Sequence, residues 1–194
     1  MPETVAIIGA GPLGRWLALA AARAGFRVLL EDVMPRNLHH AQEWLRQQLG
    51  PQALGNEQGA GVAFVSTIED AVREADLAID CVPDELESKL EIFCLLDRMA
   101  PPRTVLATPS TRLSIADLAS CTYRPDRCIA IVAEAATLAS GQSTKILLRT
   151  TLKTSTETVA LLERFWRRLG LVPSFEPDPV ETGSGDFPIS EPRR

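Results

Sequence analysis

Three glycines, Gly9, Gly11 and Gly14, stand at the spacing G-x-G-x-x-G in the run GAGPLG, and an acid pair, Glu31 and Asp32, follows. That spacing suits a turn that wraps a pyrophosphate. Gly9 permits the tight turn, Gly11 lets the backbone approach the diphosphate, and Gly14 lets the next helix pack closely on the strand before it. The helix N-terminus adds partial positive charge. Pro12 in its first turn costs little, because that position has no helical hydrogen bond to lose. Asp32 is placed to accept hydrogen bonds from an adenosine ribose. With Glu31 beside it, a 2'-phosphate would be repelled, so NAD is favoured over NADP. Flavin enzymes use a similar loop, but 194 residues are few for a complete FAD monooxygenase or reductase. The competing reading is a glycine turn that has lost its ligand. Arg15 could approach a phosphate or lie solvated, and Trp16 could cover the nucleotide or simply pack.

The elements that hold these residues follow from apolar runs and their punctuation. Residues 4–8 (TVAII) are apolar without alternation, as expected of a strand covered on both faces. A helix over 12–24 ends at Gly25, a strand spans 27–32, and a polar helix spans 36–49. After the glycine-rich 55–61 come a strand at 62–65, a short helix capped by Ser66 or Thr67, and a strand at 75–82. An amphipathic helix over 84–99 stops before Pro101 and Pro102. A strand at 104–108 leads to a helix start at Ser114, which has the look of a capping box with Asp117. Strands at 128–133 and 145–150 precede a helix over 155–169, Gly170 and the short run LVPSF. Such alternation predicts a mostly parallel α/β sheet with helices on both faces. Residues 176–194 are rich in Pro, Gly and acid, so they are expected to form a loose tail beyond a domain of residues 1–175.

Composition narrows the partners. The net charge of -5 argues against nucleic acid or an anionic membrane surface as the main ligand. No apolar run reaches the roughly 18 residues of a membrane span, and a strand starting at Thr4 leaves no room for a signal peptide. The 4 cysteines form no C-x-x-C pair and read as free thiols of a reducing cytoplasm, and no metal site is expected. The 2 histidines, His39 and His40, are neighbours on the second helix.

The glycine loop continues as GAGPLGRWLALAAARAGFRVLLED, and a later block reads ADLAIDCVPDELESKLEIFCLLDRMAPPRTVLATPSTRLSIADLASCTYRPDRCIAI. Together they resemble the nucleotide-binding domain of the 3-hydroxyacyl-CoA dehydrogenases. The resemblance implies a three-layer Rossmann-type dinucleotide-binding fold with NAD as cofactor. It implies that Cys81, Val82 and Pro83 line the nucleotide, that Asp84 stands beside the nicotinamide, and that Lys89 contacts the cofactor. With Pro12, Leu13 and Thr108, these join Gly9, Gly11, Gly14 and Asp32 as the expected cofactor set.

The chemistry departs from the family. Its members carry an N-T-S-S-L-S-I segment that reaches the substrate side, where this chain has PSTRLSI. Pro109 holds the asparagine position, and Thr111 keeps a hydroxyl at the serine position. The family's histidine, which takes the hydroxyl proton as hydride leaves, corresponds to Val132. The glutamate that orients it corresponds to Leu148 in KILLRT, and the N-P pair after the histidine becomes Ala135-Ala136. Glu134, two residues beyond Val132, is the substitute base considered first, ahead of Tyr123, Lys145 and Lys89. The family's helical second domain, which closes over the acyl chain, has no counterpart in residues 176–194. A homodimer, or a complex with a separate helical partner, is therefore expected. Three functions stay open: an NAD-dependent dehydrogenase acting on a small acyl substrate with another proton carrier or a partner subunit; an NAD(H)-binding redox sensor or assembly subunit with weak or lost activity; and a relic without a ligand.

Overall fold

The computed structural model describes residues 3–50, 53–54, 59–133 and 144–182. In chain order the elements are β1 (Thr4–Ile8), α1 (Pro12–Arg23), β2 (Arg27–Glu31), α2 (Pro35–Leu49), β3 (Gly61–Val65), α3 (Ile68–Val72), β4 (Leu77–Asp80) and α4 (Leu86–Met99). There follow β5 (Val105–Pro109), α5 (Ile115–Ser120), β6 (Cys128–Val132), β7 (Lys145–Thr150), α6 (Thr156–Arg168), β8 (Val172–Pro177) and a last turn of helix, α7 (Pro179–Thr182).

The strands form one 8-stranded sheet in the order β3-β2-β1-β4-β5-β6-β7-β8. All neighbours run parallel except β6 and β7, which are antiparallel. The order reverses between β1 and β4, and a crevice opens there at the carboxyl ends of the strands, where open α/β sheets bind ligands. Two apolar cores fix the layers. On one face Leu17 and Ala18 of α1, Ala41 and Leu45 of α2, and Leu162, Phe165 and Trp166 of α6 meet Ile7, Leu30, Ile79 and Ile131. On the other, Val72 of α3, Phe93 and Leu96 of α4, and Ile115 and Leu118 of α5 meet Ile8, Leu29 and Leu106. This is a three-layer Rossmann-type fold: the alternation predicted its mostly parallel sheet, and the family resemblance implied the rest.

Two expected strands end early, and for the same reason. Both stop at an aspartate that folds back on its own backbone. Asp32 accepts from the Met34 amide at 2.8 Å just after β2, and Asp80 accepts from the Val82 amide at 3.0 Å at the end of β4. Each Asx turn breaks the extended run and leaves the next residues lining the crevice.

The larger correction lies at the end of the chain. The segment expected to be loose from Glu176 onward is structured as far as Thr182: β8 runs through Pro177 at the sheet edge, and α7 follows. Asp178 is buried and accepts from the Ser114 hydroxyl at 2.9 Å and the Ala116 amide at 3.1 Å, capping α5 from 62 residues away. Pro173 and Pro177 disguise this strand in the sequence, because proline reads as a strand breaker while an edge position tolerates it. Residues 183–194 lie outside the described residues. Among the described residues no helix is long and apolar enough to cross a membrane.

Candidate functional site

Among the described residues, two adjoining cavities open in the crevice. The larger, about 510 Å³, is lined by Gly9, Gly11, Pro12, Glu31, Asp32, Asn37 and the apolar side chains of Ile8, Ile68, Ile92 and Val82. The smaller, about 280 Å³, is lined by Leu13, Cys81, Val82, Asp84, Pro109, Ser110, Thr111 and Ala133. Cys81 and Val82 form the wall common to both.

The glycine loop has the steric form that a diphosphate needs. Gly9 takes φ +104, and a Cβ there would stand 3.1 Å from the Cys81 carbonyl. A Cβ on Gly14 would fall 1.9 Å from the Gly9 carbonyl oxygen, so only glycine lets α1 start this close to β1. A Cβ on Gly11 would meet nothing within 4 Å. That open space faces the start of α1, which has no side-chain cap and no acid in its first turn. The Leu13 and Gly14 amides of that first turn are left for an anion.

Asp32 closes the loop from the other side. It is 8% exposed and accepts from the Ala10 amide at 2.8 Å and from the Asn37 amide nitrogen at 3.1 Å. The contact to Ala10 ties the acid expected to meet the ribose to the glycine loop itself. Glu31 differs. It is 4% exposed, and its carboxyl has no hydrogen-bond partner among the described residues. Burial, aided by the charge of Asp32, pushes it up to about 7.

Lys89 and Thr108 do not sit at the cleft surface. Lys89 is fully buried, and its Nζ donates to Asp80 Oδ2 at 3.2 Å, Thr108 Oγ1 at 2.9 Å and the Val82 carbonyl at 3.3 Å. Thr108, also fully buried, donates in turn to Asp80 Oδ2 at 3.1 Å. Burial pushes the Asp80 carboxyl up, against the pull of Lys89, the Val82 amide and Thr108. The group therefore works from beneath: it locks the ends of β4 and β5 and holds Val82, which does line the cleft. Its members lie 9 and 19 residues from Lys89 in sequence, too far for a local pattern to mark.

The smaller cavity is poorer in working groups. Thr111 is exposed on its rim. Ser110, which the sequence reading passed over, is 3% exposed, and its hydroxyl accepts from the Arg112 and Leu113 amides, holding the turn after β5. Its signal was the Ser-Thr turn in PSTR. Asp84 has one carboxylate oxygen, Oδ1, buried without a partner. Val132 closes β6 and pairs with Leu147, while Leu148, the position matching the family's glutamate, lies across from Ile131. Neither leucine is ionisable, and β7 contains no carboxylate. Glu134, Ala135 and Ala136 lie outside the described residues. Tyr123 is 97% exposed at the far end of α5, and both histidines are exposed on α2. Arg15 lies over the Trp44 ring at 5.7 Å, and Trp16 packs on the core of its own face. Among the described residues no cluster is able to hold a metal ion, and all four cysteines are free thiols.

Comparison with known proteins places this geometry. Residues 4–138 match the family described as 3-hydroxyacyl-CoA dehydrogenase, NAD binding domain. A probable 3-hydroxybutyryl-CoA dehydrogenase of Bacillus subtilis (strain 168) is 32% identical over 135 residues, which are 66% of this chain and 47% of that protein. The 5-formyl-3-hydroxy-2-methylpyridine 4-carboxylate 5-dehydrogenase of Mesorhizobium japonicum is 28% identical over 185 residues, 89% of this chain and 57% of that one. A crystal structure of a dehydrogenase of that same description, an NAD+ dependent dismutase, superposes with a TM-score of 0.77 at 28% identity, covering 92% of this chain and 59% of its own. The chain spans about half the length of the curated relatives it matches.

Proposed function

The chain belongs to the NAD-binding-domain family of the 3-hydroxyacyl-CoA dehydrogenases, and from that premise we propose that it binds NAD(H) while its hydride chemistry on 3-hydroxyacyl-type substrates is weak or lost. The observation that carries this reading is the β6–β7 pair. Val132 and Leu148 stand at the positions matching the family's base and its orienting glutamate, Val132 pairs with Leu147 across the strands, and none of the three side chains can take a proton. The cofactor half supports binding: the Leu13 and Gly14 amides and the open space above Gly11 suit the pyrophosphate, and Asp32 suits the ribose hydroxyls. When bound, the nicotinamide supplies a two-electron hydride acceptor or donor. The residues around its expected place, Asp84, Thr111 and Pro109, offer one carboxylate, one hydroxyl and no side-chain amide.

A second reading, an active NAD-dependent dehydrogenase with a different proton carrier, is favoured by one detail. The unpartnered Asp84 Oδ1 sits at the smaller cavity, where a carboxylate within hydrogen-bond reach of a substrate hydroxyl can take its proton. The small acyl substrate, a homodimer or a helical partner subunit, a redox-sensing or assembly role, and a cytoplasmic site of action compatible with four free thiols belong to this proposal as well. Titration of tryptophan fluorescence with NADH tests the first reading. No binding up to millimolar NADH removes it. Turnover of acetoacetyl-CoA near the enzyme norm of about 1 to 10³ per second selects the second.

A further inference from the structure

Glu31 and Asp32 are adjacent, yet the strand sends them to opposite faces of the sheet. Leu30 belongs to the core under α1 and α2, whereas Leu29 belongs to the core under α3 and α4. Alternation along β2 therefore turns Glu31 toward α3 and α4. Asp32 turns back toward α2 and the glycine loop, as its bonds to Asn37 and Ala10 require. Both acids line the same large cavity, from different sides.

This division assigns the parts of an adenosine. With the pyrophosphate at the start of α1 and the ribose on Asp32, the base continues toward the remaining wall. That wall is apolar: Ile68, Ile92, Val82 and Pro83, a suitable floor and roof for a flat ring. Glu31 is the ionisable group on that side. A carboxyl buried there without a partner is costly unless a ligand completes it or it gives up its charge. Adenine offers a matching edge, an amino donor next to a ring-nitrogen acceptor. A neutral carboxyl matches both at once, while an ionised one would set its lone pairs against the ring nitrogen.

We propose that Glu31 reads the adenine base as a neutral acid, accepting a hydrogen bond from the exocyclic amino group and donating one to the neighbouring ring nitrogen. The inference rests on the NAD-binding reading above and deepens it. The surrounding charges support the neutral form. Asp32, on its own strand, raises Glu31. On α3, Glu69 is exposed and Asp70 pairs with Arg73. On α4, Glu85, Glu87 and Glu91 are exposed and Lys89 is committed to Asp80. On α2, Arg36, His39 and His40 are exposed. No described cation is paired with Glu31 to hold it ionised.

The test measures dissociation constants of the full chain for NADH and for its 1-deazaadenine analogue, in which a C–H replaces the ring nitrogen beside the amino group. For the wild type, NADH is expected to bind up to roughly thirtyfold tighter at about pH 6 than at about pH 8.5, the ratio of neutral fractions for a group titrating near 7. Glu31→Gln presents the same acceptor and donor at every pH, so it should bind NADH equally at both and keep the preference for adenine. Glu31→Leu should lose that preference. NADH binding by the wild type that changes less than about twofold with pH, or an adenine preference untouched in Glu31→Leu, overturns the role of Glu31 alone. Absence of NADH binding at either pH overturns the NAD-binding reading and this one together.

Discussion

The two halves of the crevice are built from the same strand ends but differ in what they keep. The half proposed for the adenosine joins the glycine loop, the start of α1 and Asp32 through the 2.8 Å bond from the Ala10 amide. In the half proposed for the nicotinamide, Ser110 holds the turn after β5, and Pro109 lines the cavity where the family has an asparagine. On the proposed reading, binding and proton transfer are separable in this fold. The first depends on backbone and sterics embedded in the core, the second on a few side chains that can change without disturbing it.

The sharpest break of that comparison is Gly14→Ala. Its Cβ would overlap the Gly9 carbonyl at 1.9 Å, so we expect a loss of about 3 kcal/mol or more in chemical denaturation and no NADH binding. Lys89→Met is expected to cost about 3–5 kcal/mol, because it strands Asp80 in the interior; the double variant with Asp80→Asn should recover part of that. Glu31 gives the opposite sign. Its folded-state titration lies above the unfolded value of 4.5, so the native state binds the extra proton and stability falls as pH rises from 4.5 through about 7. Glu31→Gln should raise stability at about pH 8 by at most about 3 kcal/mol, with no gain at about pH 4. Asp178→Ala, removing the remote cap of α5, should cost about 1–2 kcal/mol. The smallest effect sharpens the chemical half. A Val132→His, Leu147→Glu pair should oxidise 3-hydroxybutyryl-CoA measurably faster than Val132→His, Leu148→Glu, because only the first pair shares a face. Equal rates would show that the β6–β7 register does not govern the chemistry.

What the sequence made legible was local. The strand at 145–150, the Ser114 cap bonded to the Asp117 amide, and the glycine loop between strand and helix stand where pattern and turn chemistry put them. The mostly parallel sheet followed from crossover lengths. What stayed hidden was set by contacts between distant segments. Lys89 read as a cofactor ligand because nothing near it announces Asp80 and Thr108 as partners. The end of the chain read as loose because its stabilising bond, from Asp178 to Ser114, spans 64 residues. The register that puts Leu147 opposite Val132 exists only once two strands meet.

The outermost strand has a consequence for self-association. Val172 and Asp178 turn their amides inward to Thr144 and Thr150, so the alternate positions between them point theirs outward. Two of those three, Pro173 and Pro177, have no hydrogen to offer, and Phe175 alone can donate along that margin. A second strand laid along it would find a single amide donor, which weakens edge-to-edge extension of the sheet on that side.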